Sequence, residues 1–285
     1  MIDYAKYRQN YKFYSGAEKK IGFTMQNRDY FAKFQKNSRE GLRFNHVSEY
    51  LGSHIFALLG LTVQETYLGL YEGKEVVVVR DFLQGTESFI PFNGVGDSSL
   101  DISEKKYLYE YEDIICMIEA NVKLTDIAET EEQFWKMFVV DALLGNFDRH
   151  GSNWGFIKND NVYRMAPVFD NGSCLFPQLN TDEKIQAILS SQEEMEKRTY
   201  QFPTSQIKRR GKKSSYYDII NSLQYEGCNH ALKYIVDKYD AKKIGDFIEK
   251  TPFITALRKD FYKKMIQIRF EKILWESYEK MKRGE

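Results

Sequence analysis

The chain has 285 residues, of which 42% are apolar and 29% charged, with Lys+Arg and Asp+Glu equal at 41 each. This composition excludes a disordered or fibrous chain and accommodates one large domain or two lobes. Zero net charge removes any global electrostatic drive toward nucleic acid or an anionic membrane, so direct nucleic-acid binding is not expected.

The N-terminus, MIDYAKYRQNYKFY, is charged and aromatic and lacks the apolar stretch of a signal peptide. The longest apolar runs, FALLGL and VVVV, are too short to cross a bilayer, so no membrane partner is expected. Cys116, Cys174 and Cys228 are widely spaced, odd in number and without a CxxC pair. That usage predicts reduced thiols in a cytoplasmic protein and gives no support for zinc. A secretion route without a cleaved signal is compatible with the same features.

In chain order, IGFTMQ (21–26) and DYFAKFQ (29–35) read as strands joined at NR, a hairpin connection. On the second strand Tyr30, Ala32 and Phe34 share one face, and Phe31, Lys33 and Gln35 the other. Val47, Leu51, Ile55 and Leu58 recur at helical spacing within 45–61, and Gly60 suits the helix end. Residues 63–82 read as two strands around EGK, the second a continuous buried run. Gly, Ser, Pro and Asp dominate 84–104, which reads as a connecting segment. Helices are predicted at about 105–121, 123–128 and 131–144, then short strands at 154–158 and 162–169 on either side of NDN. The remainder reads as helical, ending in a long helix at about 254–281 with Leu257, Phe261, Met265 and Ile268 as its apolar stripe.

This order predicts an α+β, bilobal protein-kinase-like fold. A small β-rich lobe with one helix covers 1–83, and a larger α-helical lobe covers 84–285. At this level the likeness is one of architecture.

The chemistry concentrates in GNFDRHGSNWGF (145–156), where an apolar helix gives way to Asp148, Arg149, His150 and Asn153. Asp170 follows a short hairpin in VFDNGS. Phosphoryl transfer from ATP needs a carboxylate near the acceptor hydroxyl and hard oxygen ligands for Mg²⁺. Asp148 is the candidate base, and Asn153 and Asp170 are the candidate metal ligands. Lys33, on a strand face, is the candidate phosphate partner, and Glu49 on the following helix would hold it. Arg80, Asp81 and Phe82 end the small lobe and form the candidate hinge, where backbone groups would meet adenine. The bland alternatives are a turn former for Asp148 and Asp170, a water-facing edge residue for Lys33 and a solvated helix charge for Glu49. The joint presence of all of them in this order argues against that reading.

Protein kinases share the Asp-to-Asn spacing but place His-Arg before the Asp. The DRH order here resembles the catalytic loops of phosphoinositide kinases and of the HipA family of bacterial serine/threonine kinases. The flanks resemble HipA: an apolar helix, G-N-x-D-x-H-x-x-N and a strand, then a second strand ending in P-x-[YF]-D-x-x-S. These appear here as LLGNFDRHGSNWGFI and YRMAPVFDNGSC. The HipA phosphate loop resembles S-G-A-Q-x-K, matched by Ser15, Gly16, Ala17 and Lys20 in YSGAEKKIGF. In that family a Glu near the start of the small-lobe helix is usual, which favours Glu49.

The resemblance implies an ATP- and Mg²⁺-dependent bacterial kinase acting on protein Ser or Thr hydroxyls, with autophosphorylation at Ser15 as a further expectation. His150 either positions the loop, contacts phosphate or is structural, and Arg149 reads as a solvated charge. HipA toxins carry an extra N-terminal region before the kinase core, whereas the phosphate-loop candidate here starts near residue 15. A separately encoded antitoxin or N-terminal partner is therefore one expectation, and dispensing with that region is the other. A lipid or small-molecule kinase of the DRHxxN type, or a nucleotide-binding pseudokinase serving as an interaction module, stands as an alternative. The basic run IKRRGKKSS (207–215) reads as a solvated loop, with nucleic acid or an acidic partner as its functional alternative.

Overall fold

Four antiparallel strands build the first sheet: β1 (Lys20–Met25), β2 (Arg28–Phe34), β5 (Thr66–Tyr71) and β6 (Lys74–Arg80), in the order β1-β2-β6-β5. The structure is a computed structural model describing residues 1–14, 19–94, 109–121, 124 and 126–284. Both hairpins of this sheet use two-residue turns. Met25 pairs with Arg28 and Tyr71 with Lys74, leaving Gln26-Asn27 and Glu72-Gly73 at positive φ. Two consecutive left-handed residues match the twist of the flanking strands. The first turn thus falls one residue before the NR expected from sequence, because Arg28 joins the ladder.

Alternation on β2 places its two faces as expected. Tyr30 and Ala32, with Phe34 beside them, join Tyr4, Phe23, Tyr71, Val76 and Val78 in a small apolar cluster. Phe31 and Lys33 sit opposite Val79 and Val77 on the other face. Val76 to Val79 are all fully buried, so β6 is covered on both sides. Each such valine contributes up to roughly 1.5–3 kcal/mol of burial. Helix α1 (Asn45–Leu58) packs against β5 and β6 and carries Val47, Leu51, Ile55 and Phe56 into the large core. Two-residue strands β3 (Asn37–Ser38) and β4 (Gly41–Leu42) precede it.

The N-terminal residues form a strap across this sheet. The Ile2 carbonyl accepts from Leu70 N–H on β5 at 2.9 Å. Arg8 C=O accepts from Thr24 N–H, and Asn10 N–H donates to Gly22 C=O on β1, both at 3.0 Å. Between these anchors Tyr4 and Tyr7 lay their rings on Phe23.

The segment read as a mere connection contains a strand, β7 (Ser88–Pro91), paired with β8 (Gly155–Asn159). Its partner lies more than sixty positions away, which local composition does not reveal. Strand β9 (Val162–Met165) completes the second sheet and is shorter than expected, since Pro167 cannot donate to a ladder. Val168 instead bridges Val63, ahead of β5.

Helix α2 covers Tyr111–Ala120, while 105–108 of the expected helix lie outside the described residues. The expected helices at 123–128 and 131–144 are one, α3 (Ile127–Leu144), capped by the Asp126 side chain accepting from Glu129 N–H at 2.8 Å. Helices α4 (Asp182–Leu189), α5 (Gln192–Glu196), α6 (Tyr216–Ser222), α7 (Glu226–Lys238) and α8 (Ala241–Lys250) surround α3 and the C-terminal run. That run comprises α9 (Ala256–Arg269), a π-helical stretch Phe270–Trp275 and α10 (Glu276–Arg283). Phe261 and Met265 are buried as expected, but Leu257 and Ile268 are only half-buried, and Tyr262 and Ile266 take the deeper positions.

Candidate active site

Helix α3 ends at Gly145, whose φ of +64° places it in the left-handed region that favours glycine. A Cβ there would press on the Pro203 ring at 3.2 Å. The next residue, Asn146, is fully buried and works in three directions. Its N–H donates to the Asp141 carbonyl at 3.0 Å, and its Nδ2 donates to Asp141 Oδ1 at 2.8 Å. Its Oδ1 accepts from Asp148 N–H at 3.0 Å. Asn153 Nδ2 donates to the Asp148 carbonyl at 2.8 Å, which turns the amide oxygen of Asn153 away from that contact. The polar density at this helix end is thus largely a scaffold that presents Asp148.

The Asp148 side chain is 42% exposed. Burial raises its carboxyl above the ordinary value; His150 opposes this, the Asp170 charge adds to it, and Lys36 and Lys213 also oppose. His150 is half-exposed, with Nε2 4.0 Å from Asp148 Oδ1 and Nδ1 accepting from Ser152 N–H at 3.2 Å. It borders the candidate base and does not belong to the core.

Arg149 corrects the expectation of a solvated charge: it is 4% exposed. Its Nε donates to Asp141 Oδ2 at 2.8 Å and its Nη2 to Asp141 Oδ1 at 3.1 Å, a bidentate pair. Its other donors reach the carbonyl of Asn153 at 2.9 Å, the carbonyl of Phe169, and Asn171 Oδ1 at 2.6 Å. Phe56 of α1 lies 5.9 Å from the guanidinium. Burial opposes its charge, but the Asp141 carboxylate more than compensates and raises its pKa. One side chain thereby ties α3, the loop of Asp148 and the loop of Asp170 into a single unit.

Lys33 is 5% exposed and Glu49 2%. Lys33 Nζ lies 3.1 Å from Glu49 Oε2 and 3.1 Å from Asp170 Oδ1. Glu49 Oε1 also accepts from Gln64 Nε2. Asp170 adopts φ +56°, a conformation that Asp tolerates better than most residues. Burial pushes its carboxyl up, yet Lys33, followed by Arg149 and Lys36, brings it down to about 2. The Asp170 loop also abuts α1: Asn171 Nδ2 donates to Ser53 Oγ at 3.0 Å, and a Cβ on Gly52 would lie 2.7 Å from the Asn171 Cβ.

Lys20 opens β1 opposite Lys33, with its ammonium 5.9 Å from the Phe31 ring. Tyr14 packs a tilted ring against the same one, with centroids 4.4 Å apart. Of the hinge candidates, Arg80 ends β6 paired with Glu65, and Asp81 accepts from Lys12 Nζ at 2.5 Å. Phe82 forms an aromatic trio with Phe89 and Phe169, the residue before Asp170. Ser15, Gly16 and Ala17 lie outside the described residues.

Asp141, Asn146, Asn171, Gln64 and Tyr109 were not anticipated. Asp141 carried a signal, because a lone carboxylate inside KMFVVDALL is seldom buried without a cation. Tyr109 donates to the Arg149 carbonyl at 3.2 Å and accepts from Trp154 Nε1 at 2.9 Å, contacts that no sequence pattern announces.

Known proteins resemble this chain along most of its length. The model of the HipA-like C-terminal domain matches residues 13–226. The Helicobacter pylori serine/threonine-protein kinase CtkA is 35% identical over 271 residues, covering 92% of this chain and 83% of its own length. The crystal structure of a Helicobacter pylori proinflammatory kinase CtkA matches with a TM-score of 0.91 at 34% identity, covering 98% of this chain and 97% of that one. A chain from the Shewanella oneidensis complex of HipA, HipB and operator DNA matches with a TM-score of 0.55 over 96% of this chain and 68% of that one. At 12% identity the Shewanella likeness shows the fold alone. A kinase-like fold, a matched family domain and a curated relative spanning most of both chains lead to one conclusion: this chain belongs to the HipA-like family of serine/threonine kinases.

Proposed function

We propose that the protein transfers the γ-phosphoryl group of Mg²⁺-bound ATP to Ser or Thr hydroxyls of protein, with residues 1–83 gripping nucleotide and 84–285 presenting the acceptor site. The observation that carries this reading is Lys33 Nζ at 3.1 Å from both Glu49 and Asp170. It brings a strand lysine, a helix glutamate and a loop aspartate 137 positions from the lysine to one point. Lys33, steadied by Glu49, pairs with phosphate oxygens, and Asp148 accepts the proton of the attacking hydroxyl. Ser15, Gly16, Ala17 and Lys20 are assigned to the phosphate loop, and Arg80, Asp81 and Phe82 to the adenine edge. His150 is assigned a supporting role beside Asp148.

The donor set fits Mg²⁺. Asn153 and Asp170 offer hard oxygens, and an ion bound through one or two such groups completes its shell with water and phosphate. Among the described residues no cluster of three or more His, Cys, Asp or Glu forms a self-sufficient metal cage, and this ion needs none. When bound, Mg²⁺ would neutralise charge on the phosphates. The Shewanella complex names an antitoxin for its own HipA, and a likeness of fold alone assigns no such partner here.

The test is transfer of labelled phosphate from ATP with the wild type and Asp148→Asn, followed by mapping of the modified sites. A positioned base contributes about 10²–10⁴-fold, so a loss of that size is expected. Undiminished transfer by Asp148→Asn would refute the assignment. Mapping is expected to find phosphate on Ser15, and an unmodified Ser15 would remove autophosphorylation there from the reading.

A further inference from the structure

The basic run is a small hairpin rather than a structureless loop. Strands β10 (Lys208–Arg209) and β11 (Lys212–Lys213) pair antiparallel around Arg210-Gly211, both at positive φ. Its base is fixed against the scaffold of Asp148. Ile207 is buried, Gln206 Nε2 donates to the Phe147 carbonyl, and Lys208 N–H donates to the Tyr109 carbonyl at 2.8 Å. Tyr109 in turn holds the Arg149 carbonyl. Beside the base, Phe202 is 44% exposed and stacks on Phe147, the residue before Asp148.

The register sets Lys208 directly opposite Lys213, and Arg209 opposite Lys212. Like charges across an antiparallel pair repel, so both cross-strand pairs work against the hairpin. Among the described residues no carboxylate forms an ion pair with them, and Arg209 reaches the neutral Gln224. Glu110 meets the turn through Gly211 N–H and not through a cation. Several surface lysines elsewhere do reach a carboxylate, as in Lys233–Asp237, Lys242–Asp246 and Lys272–Glu276. A local rule broken without compensation marks a functional site more often than a structural one. The cations also lie close to the chemistry, since the charge of Lys213 acts on the Asp148 carboxyl.

We propose that this hairpin recognises the substrate, its Lys208 and Lys213 face taking acidic side chains that flank the Ser or Thr acceptor. The proposal rests on the kinase reading above and names the substrate class it serves. A short acidic segment suits five cations on a hairpin this small, with Phe202 offering an apolar contact on the way to Asp148. Nucleic acid fits less well, because its affinity grows from many phosphate contacts along an extended groove, and the chain has no net positive charge.

The test measures binding by fluorescence anisotropy, independently of catalysis. Short labelled peptides carry Ala at the acceptor position and Glu, Gln or Lys flanks, and a single-stranded oligonucleotide is the fourth probe. Wild type is expected to bind the Glu-flanked peptide at least about tenfold more tightly than the Gln-flanked one, with the gap shrinking as salt rises. Lys208→Glu/Lys213→Glu is expected to reverse the preference toward the Lys-flanked peptide, and the milder Lys213→Gln to reduce it, both with wild-type melting curves. Equal affinity for Glu and Gln flanks, tighter binding of the oligonucleotide, or an acidic preference surviving the double reversal would overturn the proposal. With Ser restored, transfer to the same peptides reads the chemistry separately. A binding preference without transfer supports the hairpin's role and counts against the kinase reading.

Discussion

Arg149→Ala removes a guanidinium that meets Asp141 bidentately, two main-chain carbonyls and Asn171. Asp141 is 1% exposed, so its carboxylate would stay buried without its cation. Breaking a buried pair from one side costs about 3–5 kcal/mol, a large share of the roughly 5–15 kcal/mol that holds a domain folded. At about 2–4 °C per kcal/mol, the melting temperature should fall by roughly 6–20 °C. Arg149→Lys keeps the charge but loses the planar fork, and should lose roughly half as much stability. The informative partner is Asp141→Leu/Arg149→Met, which replaces the pair by apolar groups. It should regain most of the stability while phosphoryl transfer stays low, because nothing then ties the Asn153 carbonyl to the Phe169 carbonyl. Circular dichroism melts and the labelled-phosphate assay read the two arms. An Arg149→Ala melt within about 2 °C of wild type, where a few kcal/mol should move it severalfold further, would refute the reasoning. So would full transfer by the apolar double variant.

Lys33→Met should abolish transfer and raise the Asp170 titration from about 2, read by carbon NMR of the side-chain carboxyl, because the cation that most opposes burial is gone. The sign for stability follows from the depressed carboxyl. The Lys33–Asp170 contribution is present above the ordinary value of about 3.9 and is lost as pH falls toward about 2. Acid unfolding of wild type should show that loss, and Lys33→Met should lack it. Gly155→Ala would set a Cβ 2.3 Å from the Ile90 carbonyl oxygen, a backbone atom with little room to yield. A cost of about 1–3 kcal/mol is expected from denaturant melts, and an unchanged midpoint would show that β7 and β8 separate easily.

Much of this architecture is legible in local sequence. Period-two alternation sorted the faces of β2, helical spacing located α1, and the joint occurrence of Lys33, Glu49, Asp148, Asn153 and Asp170 marked them as candidates. The structure brings Lys33, Glu49 and Asp170 within hydrogen-bonding distance. What local sequence hid is what depends on distant partners. Strand β7 has its partner beyond α3, so its Gly- and Pro-rich surroundings read as a loop. Arg149 looked solvated because its acceptors, Asp141 and Asn171, lie on α3 and past β9, positions that only the folded chain assembles. The basic hairpin escaped for the opposite reason: like charges across a two-residue ladder are a pattern that strand propensity does not favour.

The N-terminal strap has a consequence for how the protein behaves outside its chemistry. A free strand edge offers unpaired N–H and C=O groups to any other chain. By pairing Ile2 with Leu70 and Arg8 and Asn10 with Thr24 and Gly22, the strap occupies part of both edges of the four-stranded sheet. Its two tyrosines meanwhile cover Phe23. Protection of these edges thus falls to residues that touch no reacting group. Trimming the chain ahead of Tyr11 would reopen two edges and an aromatic patch together, and self-association through the sheet should precede loss of the fold.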